Sequence, residues 1–150
     1  MTLKNARGYF ERLAAETSGR SEVKVYKEFI RILSALERRA LSDEELQSIE
    51  AELDVIGADT EPENRKKHFS NALRNFKKYL KDVFSLTTKG YYTNMGVGLG
   101  TVIGVLIGTV ILSRLERSMG ISLGIAAGML IGLLIGRNYD AQAEAAGKLI

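Results

Sequence analysis

The 150-residue chain has no cysteine, no tryptophan, one proline and one histidine. Without cysteine there is no disulfide, no thiol nucleophile and no thiolate metal ligand. His68, on a basic segment with no second histidine beside it, cannot build an imidazole metal site, and no cofactor is expected. The single Pro62 leaves the helices uninterrupted. Paired carboxylates are also missing: Glu44 and Glu45 are adjacent, so on a helix they point in different directions and make a poor acid-base pair. The polar amino terminus, with acidic residues soon after Met1, does not read as a signal peptide. Enzymatic chemistry therefore has no foothold. Charge itself is absent from two stretches. Between Lys89 and Arg114 lie 24 uncharged residues, and between Arg117 and Arg137 another 19, each close to the roughly 20 that cross a hydrocarbon core.

Glycine fills those stretches with a regular spacing. Gly96, Gly100, Gly104 and Gly108 form one four-residue ladder, and Gly120, Gly124, Gly128, Gly132 and Gly136 form a second. Glycine weakens a helix by about 1 kcal/mol relative to alanine, so the regularity needs a compensating contact. In lipid, that contact is the close approach of another helix. The run from Val97 to Leu112 holds ten Val, Leu or Ile residues and favours insertion by about 3 to 6 kcal/mol before the glycines reduce it. The second run has eight Leu or Ile residues and inserts with the first as a hairpin across Arg114, Leu115, Glu116 and Arg117. The two runs repeat one another, Met95–Ile111 aligning with Met119–Ile135 at an offset of 24 residues. A hairpin sets such copies in opposite directions, as in inverted-repeat transporters, yet neither span carries the ionisable residue or proline break that would support transport. A four-residue step turns a helix by about 400°, so each ladder drifts about 40° per step. Different glycines are then expected to meet different neighbours, or one neighbour at a right-handed crossing, which favours a homo-oligomer of more than two chains.

Upstream, residues 1–63 carry 9 Lys or Arg against 14 Asp or Glu, a net of −5, while residues 64–90 carry 8 against 1, a net of +7. Four amphipathic helices are expected here. The first runs from about Leu3 to Thr17, and a second carries Tyr26, Ile30, Leu33 and Leu36. Ser42 and Glu45 form a capping box before Leu46, Ile49, Leu53 and Ile56, with Gly57 as the stop. Thr60 and Glu63 repeat the box ahead of a seam at Phe69, Leu73, Phe76, Leu80 and Val83. The fold class is thus all-α: a cytoplasmic helical bundle over residues 1–88 with a basic juxtamembrane helix, then a membrane hairpin over 89–150. Its spans are about 91–113 and 118–136, followed by a short cytoplasmic helix in which Glu144 and Lys148 can pair and Asp140 belongs to a solvated end.

Arg74, Lys77, Lys78, Lys81 and Lys89 precede the first span and are the candidate anionic-lipid contacts, at about 1 kcal/mol each. Nucleic acid fits this segment less well, because aromatic residues are not interleaved with the charges. Basic residues flank the side holding both termini more heavily than the link, which places the termini in the cytoplasm and Leu115 on the opposite side. Tyr91, Tyr92 and Tyr139 stand where an interfacial aromatic belt belongs. The stretch Gly96, Val97, Gly98, Leu99, Gly100 has the composition of a phosphate loop but no following lysine or strand.

Tyr91 to Thr93, the two ladders, and Asp140, Ala143 and Gly147 together resemble the small bacterial glycine-zipper membrane proteins over about 60 residues. The resemblance implies a closely packed two-span hairpin in the inner membrane and carries no activity with it. The chain also looks superficially like the rotor-ring subunit of ATP synthases, but Gly128 to Leu130 occupy the mid-membrane place of its carboxylate. Two functions are expected from these features. One is a homo-oligomeric channel or pore, lined by Thr93, Thr101, Thr109 and Ser122 and controlled by the helical domain. The other is a non-conducting scaffold or anchor that recruits a cytoplasmic protein partner.

Overall fold

The structure, a computed structural model, describes residues 1–57, 64–110 and 117–150. The expected cap at Thr60 and Glu63, and the link containing Leu115, lie outside the described residues. Among the described residues the chain is all-helical: α1 Leu3–Glu16, α2 Arg20–Glu37, α3 Asp43–Gly57, α4 Arg65–Phe84, α5 Tyr91–Val110 and α6 Arg117–Ala145. They divide into two compact units, one of Met1–Leu86 with Ile150 and one of Thr87–Leu149.

The first unit is made of α1 to α4. Local chemistry starts its helices where the backbone needs acceptors. Thr2 caps α1 by accepting from the Asn5 amide at 3.2 Å. At α3 the capping box is reciprocal: the Glu45 amide donates to Ser42 Oγ at 3.3 Å, and the Ser42 amide donates to Glu45 Oε2 at 2.8 Å. The described part of α4 begins under Asn64, whose Oδ1 accepts from the Lys67 amide at 3.0 Å.

Rings fill the core. Phe10 of α1 stacks on Phe29 of α2 with centroids 4.1 Å apart and planes 3° apart, and Phe69 of α4 meets Phe10 and Tyr26 edge-on. Such contacts add about 0.5 to 1.5 kcal/mol each beyond the area they bury. The buried stripe of α2 is Tyr26, Phe29, Ile32, Leu33 and Leu36, so the expected Ile30 is displaced to the half-buried edge. The α4 seam holds at Phe69, Phe76 and Leu80, but Val83 is exposed. The helix ends just beyond Val83, at a left-handed Ser85 with φ 55°, and Leu86 enters the core instead.

Ion pairs tie the helices together at the rim. Arg7 of α1 donates to Glu37 of α2 at 2.6 Å, and Lys77 of α4 donates to Glu28 of α2 at 2.7 Å. Glu28 also accepts from Arg31, whose other nitrogen donates to the Ile150 carbonyl at 3.0 Å. Hydrogen bonds from Arg31 and Lys77, opposed only in part by burial, hold the Glu28 carboxyl down at about 2. Burial pushes the Tyr26 hydroxyl up, and its hydrogen bond to Glu22 adds to the shift.

The second unit is built from α5 and α6, which pack side by side. Both are long and apolar enough to cross a membrane, and only 11% and 22% of their apolar windows are buried. A core helix of a soluble protein hides its apolar faces; these two leave them exposed.

Candidate functional site

The site is the seam between α5 and α6. A Cβ added at Gly96, Gly100, Gly104 or Gly108 would fall closer than 3.0 Å to the carbonyl oxygen of Gly132, Gly128, Gly124 or Gly120 respectively. The reverse holds from α6: a Cβ at Gly124, Gly128 or Gly132 would strike the carbonyls of Gly104, Gly100 or Gly96. Partner numbers fall on one helix as they rise on the other, so the helices are antiparallel. Gly98, two residues off the row, has nothing within 4 Å of its added Cβ. The row position, and not glycine content, makes the contact.

The internal repeat gains a structural meaning from this register. Gly100 meets Gly128, and their counterparts 24 residues away and in the reverse sense, Gly124 and Gly104, meet each other as well. Each half of the repeat therefore presents the same row to the other. Of the two arrangements that ladder drift allows, different neighbours or one, the structure has the row meeting one. The four glycines of the α5 row, Gly96, Gly100, Gly104 and Gly108, all meet α6 of the same chain.

At the end of the pair, Asp140 departs from the expected solvated helix end. Its carboxylate accepts from the amides of Tyr92 and Thr93 at 3.0 Å each and from the Thr93 hydroxyl at 2.6 Å. Those amides are in the first turn of α5, where a helix has no acceptors of its own and where negative charge is favourable. Tyr139 packs against Tyr92, their centroids 5.9 Å apart, and Tyr91 meets Tyr92 edge-on at 5.2 Å. One turn further, Ala143 is buried, and Gly147 takes a left-handed φ of 67°. The Gly147 amide donates to Glu144 and the Lys148 amide to Ala143, which closes α6 in a Schellman turn. Asp140 thus caps α5, Ala143 fills a packing position and Gly147 stops the helix.

The candidate pore hydroxyls have other uses. Thr93 donates to Asp140, Thr101 to the Val97 carbonyl at 2.7 Å, and Thr109 to the Leu106 carbonyl at 3.0 Å. Ser122 is exposed. Of the candidate lipid contacts, Arg74, Lys78 and Lys89 are exposed, Lys81 is half-buried, and Lys77 is committed to Glu28. His68 lies edge-on to Phe69 at 5.0 Å, and no group of metal-ligating side chains occurs among the described residues.

One face of the pair is an apolar groove of about 540 Å³. Gly100 and Gly128 lie in its floor, and Leu99, Ile103, Leu123 and Ile131 stand among its walls. The site can hold two backbones together and offer hydrocarbon to its surroundings. No protein-family model matches the chain, and no similar curated protein or solved structure was found.

Two features are not visible in the sequence pattern. The Asp140 cap joins residues 47 and 48 positions apart, and Lys77 finds Glu28 across 49. Charge count alone could not pair them. The recurrence of Asp140 four residues after Gly136 places it on the glycine row, but does not point to the α5 amides as its partners.

Proposed function

We propose that this protein is a membrane-anchored scaffold: α5 and α6 cross a bilayer as an antiparallel pair, and the four-helix unit presents a binding surface for a cytoplasmic partner. The observation that carries this reading is the exposure of apolar side chains around the pair, among them Leu99, Val102, Leu106, Leu130 and Leu134. Lipid is the environment in which such a surface costs nothing to expose. The inner membrane with both termini in the cytoplasm fits the excess of basic residues beside the termini, and Arg74, Lys78 and Lys89 are available to anionic headgroups.

Self-association into a homo-oligomer is the second reading, favoured by the groove, whose apolar lining a neighbouring copy would cover. Conduction through such an oligomer has less support, because Thr93, Thr101 and Thr109 spend their hydroxyl protons inside the pair. Alkaline carbonate extraction tests the anchor. The chain is expected to stay in the membrane pellet, and a Leu115→Cys variant to label only from the non-cytoplasmic face. Release into the supernatant, or labelling of position 115 from the cytoplasm, overturns the reading. Single-channel recording from purified protein in bilayers separates scaffold from pore: silence is expected, and unitary currents would restore the channel.

A further inference from the structure

The α5 row has four glycines and the α6 row has five, so the ladder fits itself in two ways. In the observed register Gly96, Gly100, Gly104 and Gly108 meet Gly132, Gly128, Gly124 and Gly120, and the fifth, Gly136, lies against the Tyr92 carbonyl. Sliding α6 by four residues, about 6 Å, pairs the same four with Gly136, Gly132, Gly128 and Gly124 and leaves Gly120 over. Four glycine pairs form either way. The ladder alone does not choose.

We propose that Asp140 is the positioning residue that selects between these two registers. It does so in two ways. In the observed register its carboxylate takes both first-turn amides and the Thr93 hydroxyl. In the slid register residue 140 arrives where Gly136 now lies, and there a Cβ comes closer than 3.0 Å to the Tyr92 carbonyl oxygen and the Thr93 Cα. Backbone cannot yield as a flexible side chain does, so any residue but glycine at position 140 opposes the slide. Glu144, four residues further along the same row, would then reach the place that Asp140 vacates, and α5 would keep a carboxylate cap. A one-turn displacement between two packed arrangements is a recognised form of conformational switch. This pair has its two arrangements written into the glycine count. The inference rests on the geometry of α5 and α6 and is independent of the membrane reading.

Thiol cross-linking in detergent micelles tests it, and the natural chain contributes no background cysteine. Cysteine at position 103 is paired in turn with cysteine at 123, 127, 131 and 135, and the partner giving the fastest disulfide marks the register. Asp140→Gly is expected to move that maximum four residues toward position 135. Asp140→Ala, which keeps a Cβ but removes the cap, is expected to hold the original maximum while the amides of Tyr92 and Thr93 exchange faster. An Asp140→Gly profile that stays at the original partner overturns the proposal. So does loss of cross-linking at all four positions, the result that a merely stabilising role would give.

Discussion

The two units of this protein bury their helices by opposite means. Between α1 and α4 the space is filled by large side chains: Phe10, Tyr26, Phe29, Phe69 and Phe76 are all fully buried. Between α5 and α6 the side chains have been removed, and backbone meets backbone at Gly96 through Gly108 and Gly120 through Gly136. Filling a gap with rings suits water, where each buried ring gains from leaving solvent. Emptying the gap suits an environment with no hydrophobic drive between helices, in which van der Waals contact and polar latches do the holding. The same chain uses both, and its charges divide in parallel with them.

The contrast predicts opposite responses to size. Gly104→Leu or Gly128→Leu inserts a side chain where even a Cβ meets backbone, so the cost should exceed the about 1 to 3 kcal/mol of ordinary overpacking and separate α5 from α6. Loss of cross-linking between the two helices, with the thermal transition of the four-helix unit unchanged, is the expected result. Phe29→Ala makes the reverse change in the other unit and should cost about 3 to 5 kcal/mol of its stability. Chemical denaturation followed by near-ultraviolet circular dichroism checks this. If Gly104→Leu were as mild as a substitution at Gly98, the two packing schemes would not differ as described.

A smaller effect sharpens the comparison through pH. The Glu28 carboxyl is held at about 2 in the folded unit against 4.5 for the free group, so its contribution is fully present above about pH 4.5. Stability is lost as pH falls from that value toward 2. Partial exposure of both partners screens the pair, which leaves about 1 to 2 kcal/mol. Glu28→Gln should flatten this part of the pH profile; an unchanged slope would assign the acid sensitivity elsewhere. Smaller still per residue is the lipid effect. Arg74→Gln with Lys78→Gln should lower preference for anionic over neutral nanodiscs by up to about 2 kcal/mol. Lys77→Gln should leave that preference unchanged and lower the melting temperature.

Much of this contrast is legible in the residues. The nine glycines declare themselves because a four-residue spacing of poor helix formers has no local explanation. The four upstream helices follow from apolar spacing and from the Ser42 and Glu45 box. What the sequence conceals are pairings between distant positions. Phe29 and Ile30 fit a helical stripe almost equally well, and only the position of Phe10 on another helix decides for Phe29. Lys77 looks free in the sequence because Glu28 is 49 residues away. Asp140 looks solvated because its partners are amides, which no side-chain pattern reveals. The drift of the ladder allows several neighbours or one, and only the fold shows α6 meeting every glycine of the α5 row.

The central claim is that α5 and α6 of one chain touch backbone to backbone along the glycine rows. Solid-state NMR on nanodisc samples, with ¹³C at glycine, reads this directly when the labelled protein is diluted in unlabelled protein. Cross-peaks between Gly100 and Gly128, and between Gly104 and Gly124, should appear and keep their intensity per labelled chain on dilution. Their absence from a sample in which both helices are formed, or their disappearance on dilution, would contradict the account.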